Sequence, residues 1–245
     1  MTQSTTRLEN GEIPRLARDA RLVLFDVDGT LISAGRAARE SILAALSAVL
    51  GWEGSADGTD FSGKTDPQIL RELVAGSVGS ARFEATLSAV LDRYVEELAV
   101  RLRPEAVVSK PGVPALLERL AVDPRVTLGL LTGNIERGAR MKLEPPGFNR
   151  YFPFGAFGDD SADRYCLPPV AIARARESTG REFSGRSVVI VGDSIHDVAC
   201  GRSLGARAIA VATGPTPAEK LAVERPEALF SDFSDVERAA EAILG

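Results

Sequence analysis

Cysteine is close to absent. Cys166 and Cys200 are the only two, and they form neither a CxxC pair nor a plausible zinc set. The count suits a reducing compartment and leaves a disulfide between them open. Long apolar runs are missing too. None approaches the ~20 residues of a membrane span, and Met1 to Asn10 lack the apolar core of a secretory signal. Positive charge is not in excess: 29 Lys and Arg stand against 34 Asp and Glu, a net charge of −5. That balance argues against a general nucleic-acid or membrane-surface binder, so a phosphate-bearing ligand must be held by local cations or a metal. Internal repeats and low-complexity tracts are absent. The expectation is a soluble, cytoplasmic chain of ordinary composition, 44% hydrophobic and 26% charged. Its 245 residues suffice for one large domain or a domain with a substantial insertion.

What is present is organised around Leu22-Val23-Leu24-Phe25-Asp26-Val27-Asp28-Gly29-Thr30-Leu31. Consecutive apolar residues predict a strand buried on both faces over Leu22 to Phe25. Such a strand delivers its last residues to the carboxyl edge of a parallel sheet, where open α/β sheets bind ligands. Asp26 and Asp28 lie two apart, so in extended geometry both side chains leave on one side. Crowded carboxylates repel unless they share a cation or a proton, which suits a metal site, a nucleophile, or both. The plainer alternative is an Asp-Gly hairpin turn. A calcium loop fails on spacing, because Gly35 stands where its glutamate belongs.

Residues 1 to about 20 are expected to be a polar lead-in, with at most one short helix around Pro14 to Ala20. Three helical stretches follow: Ile42 to Leu50, one opening at Asp66 (N-cap) and Pro67, and one from about Ala81 to Leu102. No strand is predicted between Ala34 and Val107. The alternation then resumes, with a helix at Val113 to Ala121, a strand at Val126 to Leu131 and a helix through about Leu143. A short strand at Phe154 to Phe157 and a helix at Pro168 to Thr179 come next. They are followed by a strand at Val188 to Val191, a helix at Val198 to Leu204, a strand at Ala208 to Val211 and a closing helix at Val236 to Leu244. Strands alternating with helices predict a parallel sheet covered on both faces.

Three predicted strands end in Asp26/Asp28, Thr132 and Asp193/Asp197, and in a parallel sheet these ends share an edge. Oxygen ligands at that density suit Mg²⁺, which keeps waters and shares its site with phosphate. Thr132 and the backbone N–H groups of Gly133 and Asn134 stand where a helix begins, a place that holds phosphate oxygens; Asn134 as a plain N-cap is the alternative. A further cation is needed, and Arg164 or Lys142 must serve.

Phe25-Asp26-Val27-Asp28-Gly29-Thr30-Leu31, Leu131-Thr132-Gly133-Asn134 and Val191-Gly192-Asp193-Ser194-Ile195-His196-Asp197 resemble the first, second and fourth motifs of the haloacid dehalogenase-like hydrolases, in order and at strand ends. Within that superfamily the chain looks most like the phosphoglycolate phosphatase-like branch, whose helical cap follows the first motif. The resemblance implies a Rossmann-like parallel-sheet core (1–34 and 108–245) with an all-helical cap (35–107). Phe61-Ser62-Gly63-Lys64-Thr65-Asp66 is similar to the cap segment that leans over the substrate.

By that resemblance Asp26 is the nucleophile, forming an aspartyl-phosphate, and Asp28 protonates the leaving alcohol and then activates water. Asp26, the backbone carbonyl of Asp28 and Asp193 bind Mg²⁺, Thr132 hydrogen-bonds the phosphoryl group, and Asp197 orients the metal site or the cation. His196 tempts as a base, but Asp28 already fills that role. The chain departs from its relatives in one place: Asp163-Arg164-Tyr165-Cys166-Leu167-Pro168-Pro169 contains no lysine where they usually have one. Arg164 is the first choice for that cation and Lys142, two turns into a helix, the reserve. Asp159, Asp160 and Asp163 read as loop acids. Lys64, Thr65 and Arg36 are the candidate substrate contacts from the cap, beside Gly133 and Asn134 from the core. Asp28 argues against a dehalogenase, since a leaving halide takes no proton. The implied activity is a Mg²⁺-dependent phosphatase of a small phosphorylated metabolite. The alternatives are a sugar-phosphate mutase, a phosphonatase using Lys64 as its amine, and a binding protein without turnover.

Overall fold

The computed structural model describes residues 20–245; the helix expected at Pro14 to Ala20 lies, but for Ala20, outside them. Six strands form one parallel sheet in the order β5-β4-β1-β6-β7-β8. They are β1 (Arg21–Phe25), β4 (Val126–Leu131), β5 (Gly155–Ala156), β6 (Val188–Gly192), β7 (Arg207–Val211) and β8 (Ala228–Phe230). β1 is central, pairing Leu22 with Thr127 on one side and with Val188 on the other. Its uninterrupted apolar run has a direct cause in the layers around it. Val23 and Phe25 face a cluster that includes α4 (Val113–Ala121), α5 (Glu136–Leu143) and α9 (Val236–Leu244). Leu22 and Leu24 face Leu167, Ala171 and Ala175 of α6 (Leu167–Thr179). Alternate side chains thus enter opposite layers, and both faces need apolar residues.

Between β1 and α4 the chain leaves the sheet. A two-residue antiparallel ribbon, β2 (Ile32–Ser33) with β3 (Val108–Ser109), carries it out and back. Between the two strands of the ribbon lie α1 (Ala37–Leu50), α2 (Asp66–Val74) and α3 (Ser80–Arg101). Among the described residues no strand interrupts 34–107. Leu46, Leu70, Phe83, Val90, Tyr94 and Leu98 form a core of their own, which Ile135 just before α5 joins. No helix among the described residues is long and apolar enough to cross a membrane. Both thiols are free, Cys166 exposed and Cys200 buried.

Three local expectations change. The N-cap of α2 is Thr65, whose hydroxyl accepts from Gln68 N at 3.2 Å, so Asp66 and Pro67 occupy the first two helical positions; the Asp66 carboxylate is engaged elsewhere. The helix expected at Val198 to Leu204 is instead α7 (Ile195–Cys200), followed by a 3₁₀ turn at Arg202–Leu204. Ser194 and Asp197 form a capping box that starts it early. Finally β8, the short helix α8 (Ala218–Val223) and the β2–β3 ribbon were not expected, being too short to show a period.

Candidate active site at the carboxyl edge of the sheet

β1, β4 and β6 bring Asp26, Asp28, Thr132 and Asp193 to one cavity of about 440 Å³. The chain turns sharply after β1: Leu31 N and Ile32 N both donate to Val27 O, and Gly29 N donates to Ile32 O. This turn gives the two aspartates different surroundings. Asp26 is buried, whereas the Asp28 side chain keeps 42% of its surface exposed.

Each carboxylate has its own cation. Arg164, in a 3₁₀ turn (Arg164–Cys166) capped by Asp163, is 3% exposed. Its Nη2 donates to Asp26 Oδ1 at 3.2 Å, to Leu131 O at 3.1 Å and to Asp197 Oδ1. Burial works against its charge, but Asp197 and Asp26 outweigh burial and hold the guanidinium more firmly protonated than usual. Lys142, near the end of α5, is 2% exposed. Its Nζ donates to Asp28 Oδ2 at 2.7 Å and to Asn134 Oδ1 at 2.6 Å. The Asn134 amide completes the group, donating to Asp28 Oδ2 at 2.8 Å and to Thr132 Oγ1 at 2.9 Å. Two turns of helix are therefore not too far for Lys142, and Arg164 and Lys142 both reach the site from different sides. Asn134 is not the N-cap of α5; that position is Ile135.

The helical insertion closes over this edge. Lys64 lines the cavity, with its Nζ paired to Glu72 Oε2 at 2.5 Å. Thr65 does not reach the cavity: it is fully buried, caps α2 and donates to Ala162 O at 2.7 Å. Arg36 is exposed and off the cavity wall, while Arg39, one turn on, lines the wall with its guanidinium 5.0 Å from the Phe61 ring centre. Gly133 accepts Asp66 N on its carbonyl at 2.8 Å, and a Cβ placed on it would stand 2.0 Å from Lys64 O. Gly133→Ala is expected to push the insertion off the core, lowering stability by about 1–3 kcal/mol and reducing turnover. Urea denaturation and steady-state kinetics check both; unchanged values would mean the close approach is unimportant.

The other acids have separate tasks. Asp159 receives Glu136 N, Asp160 pairs with Arg174 at 2.7 Å, and Asp163 receives Tyr165 N at 2.9 Å. His196 is off the cavity wall, beside Tyr165 at 3.5 Å, and burial lowers its pKa.

A profile of haloacid dehalogenase-like hydrolases matches residues 20–205. The chain belongs to the haloacid dehalogenase-like hydrolases. It is similar to phosphoglycolate phosphatase 1 of Pseudomonas aeruginosa, 27% identical over 236 residues that cover 91% of this chain and 82% of the relative. Among solved structures it resembles a haloacid dehalogenase-like hydrolase of Streptococcus pneumoniae, with TM-score 0.64 and 16% identity over 91% of this chain and 99% of that one. A Thermotoga maritima protein provisionally described as a β-phosphoglucomutase gives TM-score 0.59 and 21% identity over 90% and 98%. At these identities the two structures carry the fold alone.

Phosphatases of this family generally use a divalent metal, and the acidic edge fits one. Oxygens of Asp26, Asp193 and Asp197 lie within 4.8 Å of one another. Burial pushes the Asp26 carboxyl up to about 6, with Asp197 and Asp28 adding to the rise and Arg164 opposing it. Burial, then Asp26 and Asp197, lift Asp193 well above the usual carboxylate range. Such crowding is relieved by a cation between the carboxylates. Asp193 is held ready by Thr30 Oγ1 at 2.9 Å and by two glycines: a Cβ on Gly29 or Gly214 would come within 2.4 or 1.6 Å of its Oδ2. Asp197 is already engaged, one oxygen on Arg164 and the other accepting Ser194 N at 2.9 Å and Ser194 Oγ at 2.6 Å. Both Asp197 oxygens are thus occupied, whereas Asp26 gives one oxygen to Arg164 and Asp193 one to Thr30, so each of these two could hold a cation with its other oxygen.

Among the described residues, reasoning from sequence missed Asp66, Arg39, Gly214 and the side-chain part of Asn134. Only Asp66 left a signal, as an acid at a helix start.

Proposed function

We propose that this hydrolase is a Mg²⁺-dependent phosphatase that cleaves a small phosphomonoester through an aspartyl-phosphate on Asp26. The observation that carries this reading is the division of labour between two carboxylates: Asp26 buried against Arg164 and beside Asp193, Asp28 open to the cavity and held by Lys142 and Asn134. A group shielded from water and oriented by a fixed cation suits attack on phosphorus. A group facing the cavity suits proton transfer to the leaving alcohol and then from water. Thr132 Oγ1 accepts from Asn134, so its own proton is available to a phosphoryl oxygen. Lys142 supplies positive charge on the cavity side, within reach of the same group.

Mg²⁺ held by Asp26, Asp193 and the Asp28 carbonyl would supply charge neutralisation between carboxylate and phosphate. We take residues 35–107 as a cap over the core of 1–34 and 108–245, so the leaving group meets Arg39, Phe61 and Lys64. Phosphoglycolate, named for the Pseudomonas relative, is the first substrate to try. Lys64, paired with Glu72, is a poor Schiff-base amine, which disfavours a phosphonatase. Two free thiols favour a cytoplasmic setting, and the net charge of −5 disfavours nucleic acid as partner.

A panel of phosphomonoesters with Mg²⁺ tests the reading. Release of inorganic phosphate supports it; an isomeric sugar phosphate instead would mean a mutase, and no turnover of any ester would mean a binding protein. Removal of divalent ions with EDTA is expected to cut the rate at least about 100-fold, as several kcal/mol of charge stabilisation are lost, and added Mg²⁺ should restore it. A rate indifferent to EDTA would remove the metal from the mechanism.

A further inference from the structure

The phosphatase reading gives Asp28 a proton to move, and what aims Asp28 lies partly outside the core. α5 has no capping side chain of its own, because its N-cap is Ile135. The N–H groups of a first helical turn need acceptors, and here they come from elsewhere. Asp66 Oδ2, contributed by α2, accepts Ile135 N at 2.9 Å, and Asp159 accepts Glu136 N. A carboxylate in that position is also favoured by the helix dipole. Asp66 makes a second contact two residues earlier, its backbone N–H donating to Gly133 O at 2.8 Å.

These two bonds bracket Asn134. The residue before it and the residue after it are both tied to Asp66, and Asn134 is the side chain that touches Asp28, Thr132 and Lys142. Lys142 stands seven residues after Ile135, about two turns or ~10 Å along the same face of α5. Movement of the helix start is thus carried to its Nζ. Tyr94 of α3 packs on the same helix: a Cβ placed on Gly138 would be 3.5 Å from its hydroxyl, which is buried without a partner.

We infer that Asp66 is a positioning residue through which seating of the helical insertion orients Asn134 and Lys142 on Asp28. The acid–base group is then correctly aimed only when the insertion is docked, which couples closure of the cavity to proton transfer. Burial pushes the Asp66 carboxyl up to about 6, with Lys142 opposing the rise, in keeping with an enclosed acid.

The test compares two aryl esters, one whose leaving group departs without protonation (p-nitrophenyl phosphate) and one that needs it (phenyl phosphate). Asp66→Ala is expected to lower kcat/KM for phenyl phosphate at least about ten-fold more than for p-nitrophenyl phosphate, as is Asn134→Ala. The double variant should lose little beyond either single one, since coupled residues are non-additive. Asp66→Asn, which keeps an oxygen for Ile135 N, should restore most of the difference. Asp66→Glu keeps the charge and misplaces the oxygen, so it should repeat the discrimination more weakly and serves if the alanine variant does not fold. Equal losses on both esters, or additivity with Asn134→Ala, would overturn the inference. A wild-type protein that hydrolyses neither aryl ester nor any member of the phosphomonoester panel would instead remove the phosphatase reading, and this inference with it.

Discussion

Asp26→Asn is expected to abolish hydrolysis of p-nitrophenyl phosphate while leaving the protein folded. The proposed mechanism gives Asp26 the bond to phosphorus, and a neutral amide is a poor nucleophile toward it. A loss of at least about 10⁴-fold follows, which is ~5.5 kcal/mol of barrier. The fold should survive because asparagine has nearly the same shape. Its amide oxygen can still accept from Arg164, which also keeps Leu131 O and Asp197. The substitution moreover removes an acid that burial already disfavours, its carboxyl standing at about 6. Phosphate release together with a thermal melt checks both halves. Turnover near the wild-type rate would end the assignment of Asp26 as nucleophile.

The second large effect separates two cations that sequence ranked, Arg164 first and Lys142 in reserve, and that both reach the site. Arg164→Ala removes a guanidinium that is 3% exposed and leaves Asp26 and Asp197 facing each other in a buried site. Breaking a buried ion pair by deleting one partner costs about 3–5 kcal/mol, so the variant should be strongly destabilised as well as inactive. Lys142→Ala should behave differently. Its partner Asp28 keeps 42% side-chain exposure, and water can solvate the carboxylate left behind. Little stability is lost through charge, yet the group proposed to transfer the proton loses its anchor and the cavity loses a positive charge. A fall in kcat of about 10²–10³ with a modest change in denaturation midpoint is expected. Equal destabilisation of the two variants would contradict this separation.

The core of the site was legible because it depends on strand ends. β1, β4 and β6 are short buried runs whose polar terminators, Asp26, Thr132 and Asp193, mark one edge of a parallel sheet. A sheet edge is a topological fact, available once strands and helices alternate. The cations were only half legible, since neither Arg164 nor Lys142 sits at a strand end. Whether a side chain on a helix reaches a strand end depends on packing between layers, which periodicity does not encode. Thr65 was misjudged for a related reason. A threonine before Asp-Pro can cap a helix or touch a ligand, and only the contact with Ala162 O decides. Asp66 escaped as a site residue because its partners, Gly133 and Ile135, are backbone atoms of a distant segment. The β2–β3 ribbon, at two residues a strand, carries no pattern at all.

That ribbon has a consequence for descent. The chain departs at Ile32 and returns at Ser109, its ladder partner, so to the catalytic sheet everything between is equivalent to a tight turn. Loop-closure entropy rises only with the logarithm of loop length, so the sheet is nearly indifferent to how much is spliced in there. A lineage carrying this junction can lengthen or trade the helices proposed to meet the substrate while the carboxylates at the strand ends stay where they are. The docking of Asp66 on residues 133 and 135 is the part that each new occupant of the junction has to reinvent.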